Sequence, residues 1–383
     1  MVNRERLAET FKFLVEIDSV SKEESTISGE IKKILESMGA ETSVDNAGDK
    51  IGGDTGNLIA RFKGNTLASP LLLNAHMDTV EPGKGVTAVL ADGVFTSDGT
   101  TILGADDKSA IAILLEAIKT MQENDLPYGP LELVFTVCEE IGLLGAKHLD
   151  LDLITAKFGY ALDATDTEGI VTRAPSANRL EFKIHGKDAH AGAAPEKGIN
   201  AISLASKAIA NLELGRIDHE TTCNIGLIEG GTATNIVPNL VTVEGEVRSH
   251  DEEKLNKITN TMISSFEGVV DNYRRMTSDH GLPRLEIKIE KDFSSTYIPD
   301  DHRVVELALR AAENLGRTMV TKRTGGGADT NIFFEKGIIT GVLGTGMRDM
   351  HTVRESVKLD DMVHTTELLL EIIKLHAIGI GES

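Results

Sequence analysis

The sequence predicts an α/β fold: an outer domain with a mostly parallel sheet, interrupted by an inserted ferredoxin-like α+β domain. Three observations carry this reading. Short apolar runs of strand type alternate with amphipathic helical stretches toward both ends of the chain. Near Asn178 the order becomes strand, helix, strand, strand, helix, strand, which is that of a split βαβ sandwich. At 383 residues the chain is too long for one comfortable hydrophobic core. The insertion takes 178–292, so the outer domain is discontinuous, 1–177 and 293–383.

The first forty residues read as two helices, RLAETFKFLVEI and ISGEIKKILESMG, the second stopping at Gly39. Strands follow at NLIARFKG and SPLLLNAH, the latter a continuous apolar run of the buried kind. ADDKSAIAILLEAIKTMQEN has acids at its start and apolar residues at helical spacing, which suits a helix. LELVFTVCEE and FGYALDAT are further strands. In the insertion, RLEFKIHGK, CNIGLIEGG, NLVTVEGEVRS and PRLEIKIEKD read as strands. GINAISLASKAIANLE and DEEKLNKITNTMISSFEGVVDNYRRM read as helices. The α/β rhythm then resumes with helix HRVVELALRAAENLG, the turn TGGGADTN, strand GIITGVLG and a last helix from Asp360 to about Ala377.

Composition narrows the function. Acidic residues outnumber basic ones, 60 to 39, for a net charge of -21. That opposes binding to nucleic acid or to anionic membranes. No run approaches the ~18 apolar residues of a membrane span, and the charged amphipathic start is unlike a secretory leader. A mean hydropathy of -0.09 fits a cytoplasmic globular protein. Cys138 and Cys223 are too few for a disulfide framework or a four-thiolate zinc site.

The chemistry lies at the strand ends. His76, Asp106, Glu139, Glu140, Asp163 and His351 each sit where a predicted strand meets a loop or helix. Together they read as two carboxylate–histidine metal sites sharing one carboxylate, with one Glu to spare, a set suited to hydrolysis. In NAHMDTV, His76 and Asp78 are two apart and face one side of an extended chain, so Asp78 can orient the imidazole. By itself this is also an ordinary strand-end turn. In GADDKSA, an Asp at a helix start stabilises it by about 1 kcal/mol without any metal, and Asp107 suits that role. Asp106 would point back toward the strand ends, where ligands gather in open α/β sheets. In CEEIG, two adjacent Glu after a buried strand are costly without partners. They diverge, so one suits a metal and the other a general base. Asp163 in ALDAT and His351 in MRDMHTVRES gain weight only from the combination.

The insertion adds His190 in KDAHAGAAPEKG, Asn235 in GGTATNIVPN and Arg248 in GEVRSHD. These types hydrogen-bond an anion or a developing oxyanion, although Asn235 equally suits a turn. TGGGADTN lacks the Lys-Ser/Thr pair of a phosphate loop, so nucleotide binding is rejected.

The blocks AHMDTV, TILGADDKSAIA, CEEIG, LD, DAHAG, TNIVP, GGGADTN and the H-x-x-x-E at 351–355 run through nearly the whole chain. In order and spacing they resemble the dinuclear zinc aminopeptidase family of peptidase T, within a clan that includes carboxypeptidase G, aminoacylase and succinyl-diaminopimelate desuccinylase. The resemblance implies a zinc-peptidase catalytic domain with a lid. It implies two Zn2+ per chain, His76 and Asp163 on one, Glu140 and His351 on the other, and Asp106 bridging them. Glu139 would be the general base, Asp78 would orient His76, and His190 would steady the oxyanion. Asn235 and Arg248 would grip a short peptide substrate. A cis peptide between Asp106 and Asp107 and a homodimer formed through the lid are also implied. Asp rather than Glu at 163 tilts the resemblance toward release of an N-terminal residue. The alternative is an N-acyl amino acid amidohydrolase, a deacylase, or a carboxypeptidase of the same fold. Co2+ or Mn2+ also suits carboxylate-rich donors.

Overall fold

The apolar runs Leu71–His76, Leu131–Thr136, Phe158–Ala164 and Ile339–Gly344 form the parallel centre of a nine-stranded sheet. Every residue of the first two is buried. Parallel strands covered on both faces require this kind of apolar continuity. The computed structural model describes residues 1–276 and 281–379. Antiparallel strands flank the centre: Leu58–Phe62 and Glu41–Val44 on one side, Gly169–Ala174 on the other. The mixed α/β architecture with a mostly parallel core is the predicted one.

The helix Ala105–Glu123 is buried along nearly its whole length. It packs on the Leu71–His76 strand and on the helices Arg4–Val15 and Leu359–Ala377. Its Glu116 is almost wholly buried and is held by Arg6 Nε at 2.6 Å and by the backbone N–H of Asn3 at 2.7 Å. Phe11 of the first helix meets Phe95 edge to face, centroids 4.9 Å apart.

The chain divides into two compact units. One is Met1–Arg173, Tyr297–Arg323 and Ala328–Ser383; the other is Ala174–Thr296 and Thr324–Gly327. In the second, Ser176–His185, Thr221–Gly230, Leu240–Ser249 and Arg284–Phe293 form an antiparallel sheet. The strand Leu240–Ser249 lies beside Ser176–His185, which pairs on its far side with Arg284–Phe293. The helices Ala201–Ala210 and Glu252–Met276 cover it. This is the split βαβ order. Phe182 and Phe266 stack in its core at 3.9 Å, with planes 3° apart.

Several short elements escape the apolar pattern: Glu41–Val44, Gly169–Ala174, Val320–Arg323, and a separate sheet of Val89–Ala91, Val94–Thr96 and Ser356–Lys358. Most are three or four residues long and half exposed, so they show neither strict alternation nor a continuous apolar run. The Gly-rich turn leads into a helix, Asp329–Glu335, that is too short to show helical periodicity in the sequence.

Gly159 marks a close approach of two central strands. A Cβ there would stand 1.9 Å from the Leu72 carbonyl oxygen. Gly29, in the second helix, has open space around it. Gly159→Ala is therefore expected to lower the thermal midpoint, and Gly29→Ala to raise it by the equivalent of about 0.5–1 kcal/mol; paired melts check both.

Candidate metal centre

The parallel strands deliver their side chains at their carboxyl ends, where open α/β sheets gather ligands. His76 is the last residue of Leu71–His76 and Asp163 lies at the end of Phe158–Ala164. Glu139 and Glu140 follow Leu131–Thr136, and His351 follows Ile339–Gly344. Asp106 opens the buried helix but is not helical itself (φ -83°, ψ 98°), and its peptide bond to Asp107 is cis.

These residues converge. Asp106 Oδ1 lies 3.1 Å from His76 Nε2, and Asp106 Oδ2 lies 3.5 Å from His351 Nε2. His351 Nε2 is also 3.0 Å from Glu140 Oε2. One donor atom each of His76, Asp106 and Glu140 falls within 4.8 Å of the others, and the same holds for Asp106, Asp107 and Asp163. Asp106 belongs to both groups, one oxygen toward each histidine. Asp107 enters where only a helix-capping role was expected. The helix has no side-chain cap; Asp107 Oδ2 instead accepts the backbone N–H of His76 at 3.2 Å.

Glu139 and Glu140 do diverge, though not because the strand stays extended. The strand ends at Thr136, and Cys138 takes a left-handed φ of 52°. That turn sends Glu140 to His351. The Glu139 carboxylate is buried and forms no hydrogen bond or ion pair with another described residue. Three successive N–H groups of the turn end on carboxylates. Cys138 donates to Glu24 Oε1 at 3.0 Å, Glu139 to Asp78 Oδ1 at 2.9 Å, and Glu140 to Asp78 Oδ2 at 3.2 Å. Ser21 Oγ donates to Asp78 Oδ2 at 2.6 Å. Asp78 thus anchors the glutamate turn as well as standing by His76. The nearest partner of His76 Nδ1 is the Asp78 carbonyl oxygen at 3.0 Å, with Oδ1 at 3.5 Å. Glu24, Ser21 and this use of Asp78 have no signature in the sequence, because contacts between distant segments, whether to backbone or to another side chain, leave no local pattern.

The electrostatics are those of crowded acids. Burial pushes Asp107, Glu139 and Asp163 well above the usual carboxylate range, and neighbouring carboxylates add to it. Burial also raises Glu140. Asp106 goes the other way: burial would raise it, but His351 and His76 together hold it well below. Asp106 and Glu140 lift His351 to about 10. His76 also rises, because Asp106 and Asp78 outweigh its burial. Beneath the cluster Asp329 is pushed up to about 6 by burial; it accepts from Thr136 Oγ1 and from Asn74 at 3.4 Å. Oδ1 of Asp107 is buried and unpartnered. Oxygen and imidazole donors with this surplus of buried negative charge fit divalent cations.

His190, Asn235 and Arg248 lie in the second unit. Ala191 N–H donates to the Asn235 carbonyl at 2.9 Å, which ties the histidine loop to the asparagine turn. His190 Nδ1 accepts from Gly192 and Ala193 N–H, each at 3.1 Å, so its proton sits on Nε2. Arg248 stands over the Phe293 ring at 5.9 Å and donates to Glu246 at 3.0 Å.

Residues 72–375 match the peptidase family M20/M25/M40. The chain belongs to this family. It is a metallopeptidase, an enzyme that hydrolyses peptide bonds with the help of a metal. Among solved structures, a tripeptidase from Staphylococcus aureus subsp. aureus Mu50 is 38% identical, with a TM-score of 0.91 over 99% of this chain and 100% of that one. The aminopeptidase PepT from Bacillus cereus ATCC 10987 is 40% identical, TM-score 0.86, over 98% and 99%. The uncharacterized protein YqjE of Bacillus subtilis (strain 168) is 42% identical over 98% of this chain and 99% of its own length. No helix among the described residues is long and apolar enough to cross a membrane.

Asp78→Ala takes both acceptors from the glutamate turn. Peptide turnover is expected to fall about 10–100-fold with an unchanged far-UV circular dichroism spectrum. Asp78→Asn, which keeps one acceptor oxygen, should fall between; steady-state kinetics on the three proteins checks the order.

Proposed function

We propose that this chain is a two-zinc aminopeptidase that removes the N-terminal residue of short peptides. One observation carries the reading: Asp106 directs one oxygen to His76 and the other to His351, beside a buried Glu139 that is free to move a proton. His76, Asp106, Glu140, Asp163 and His351 would hold the metals, and Co2+ or Mn2+ suits the same donors. Bound divalent cations supply Lewis acidity, polarising the scissile carbonyl and acidifying water. Glu139 takes a proton from the attacking water and returns it to the departing amine. Asp78 holds the backbone that aims Glu139. His190, with its proton on Nε2, is assigned to the developing oxyanion, and Asn235 and Arg248 to the peptide. The similar tripeptidase and aminopeptidase structures support N-terminal release over deacylation. Two buried free thiols, Cys138 and Cys223, accord with the expected cytoplasmic location. A homodimer through the second unit belongs to the same reading; exposed Leu227 and Ile228 on the strand Thr221–Gly230 support it, and sedimentation tests it.

Short peptides with free and with blocked N-termini, alongside N-acyl amino acids, test the activity with and without chelator. Cleavage of the free-amine peptides alone, abolished by chelator, is expected. Preferential hydrolysis of N-acyl amino acids would overturn the reading. Glu139→Gln is expected to keep its metal and lose turnover by a factor of ~10² or more. Asp106→Ala is expected to lose metal as well, read by elemental analysis of the purified protein.

A further inference from the structure

We infer that Glu355 is a positioning residue that holds the Asp106 carboxylate in register with the His351 loop. The inference rests on the two-metal reading above and adds the group that sets the spacing between two of its ligands.

Glu355 closes the H-x-x-x-E block, and its side chain is almost fully buried at 1% exposure. Its carboxylate reaches across 252 positions of sequence to the turn that carries Asp106. Oε2 accepts the backbone N–H of Leu103 at 2.8 Å and of Gly104 at 2.7 Å. Oε1 accepts the N–H of Asp106 itself at 2.9 Å. This turn cannot satisfy those donors within a regular helix. Gly104 is left-handed, with φ 76°, and Asp106 and Asp107 are both non-helical. One carboxylate therefore meets three donors of an irregular backbone, and a bond to Asp106 N–H fixes where its side chain begins.

At its other end Glu355 belongs to the His351 loop. Arg348 and Ser356 close that loop with two backbone bonds of 2.9 and 3.0 Å. The following strand, Ser356–Lys358, pairs with Val94–Thr96. Within the loop, Asp349 and His351 take left-handed φ values of 51° and 61°. The two loops meet twice. His351 and Asp106 approach at the tip, where the histidine is half exposed at 53%. Glu355 and the 103–106 backbone meet inside the protein. The second contact is the more deeply buried and is held by three bonds to backbone, so it sets the distance at the first.

A glutamine in this place keeps the volume but not the acceptors. It offers a single oxygen and turns an N–H2 toward at least one of the three backbone N–H groups. Groups that orient metal ligands typically cost 10–100-fold in metal affinity or activity when changed. Glu355→Gln is the test, with the full-length chain stripped of metal and titrated with Co2+ against a competing chelator. The expected result is Co2+ affinity weakened at least about 10-fold, a shifted visible Co2+ spectrum, and a fall in kcat with KM within about threefold. A purely structural role would lower the thermal midpoint and leave the spectrum and affinity of the folded protein unchanged; that outcome overturns the inference. If Glu355→Gln does not fold, Glu355→Asp carries the same titration, since it keeps the charge but draws it back by one methylene. Weakened Co2+ binding supports the inference, and wild-type binding and spectrum overturn it. Wild-type protein that takes up no Co2+ or Zn2+ at all would overturn the two-metal reading, and this inference with it.

Discussion

The Asp106 carboxylate, pinned between two imidazoles in a cluster of buried acids, is the constraint on which the rest of the site depends. One oxygen faces His76 and the other faces His351. Those histidines come from segments that are 275 residues apart by number, one on a central strand and one on a late loop. A buried carboxylate has no stable place without compensation. Here the compensation comes from opposite directions at once, so Asp106 titrates low while its acidic neighbours titrate high. That asymmetry follows from position. Asp106 bonds both imidazoles, whereas burial raises Glu139 and Asp163, neighbouring carboxylates add to it, and His76 offsets it only in part.

Holding such a cluster together is mainly a task for the backbone. The Cys138–Glu139–Glu140 turn gives its three N–H groups to Glu24 and Asp78. A non-glycine residue in the left-handed region costs of order 1–3 kcal/mol. At Cys138 this cost is offset by charge-assisted bonds on the adjoining peptides, each stronger than a neutral one. Glu24 shows what the arrangement asks of a side chain. It is fully buried, and burial together with the nearby Asp78 raises its carboxyl to about 7, although it accepts from Lys22 and Cys138 N–H. An apolar residue there would pack as well but would leave those donors unsatisfied.

The second unit handles its polar groups differently. His190 and Asn235 are exposed and are held by local turns rather than by buried acids. The stability of the unit comes from its own sheet and from the Phe182–Phe266 stack. In the first unit most of the candidate site side chains are part of the interior, His351 being half exposed, and changing a buried one disturbs several segments. In the second, exposed residues can vary without opening the core. Reactive residues in the interior and adaptable residues on loops are what a family needs if it keeps one reaction and varies its substrates.

How much of this was legible in the sequence follows from the range of each contact. The central strands could be read because burial on both faces demands an unbroken apolar run, as in Leu71–His76. His76, Glu139, Glu140 and Asp163 could be read because they sit at or just after the end of such a run, where a polar residue needs a reason; Asp106 opens a helix and His351 lies in a loop beyond the last central strand. The divergence of Glu139 and Glu140 was legible in outcome but not in cause. Alternation along a strand suggested it, whereas the left-handed Cys138 produces it. The position of Asp107 suits a helix cap, but its carboxylate accepts the His76 backbone N–H instead. Glu24 and Ser21 gave no signal at all, and Asp329 entered only within the GGGADTN block, without a role of its own. Glu24 accepts from a backbone N–H of a distant segment, Asp329 from a hydroxyl, and Ser21 donates to the distant Asp78 carboxylate; a backbone N–H is present at almost every residue. A pattern needs contrast between residue types. The acids and histidines of the candidate site supply that contrast, while Glu24 and Asp78 act on the backbone N–H, a group that almost every residue carries.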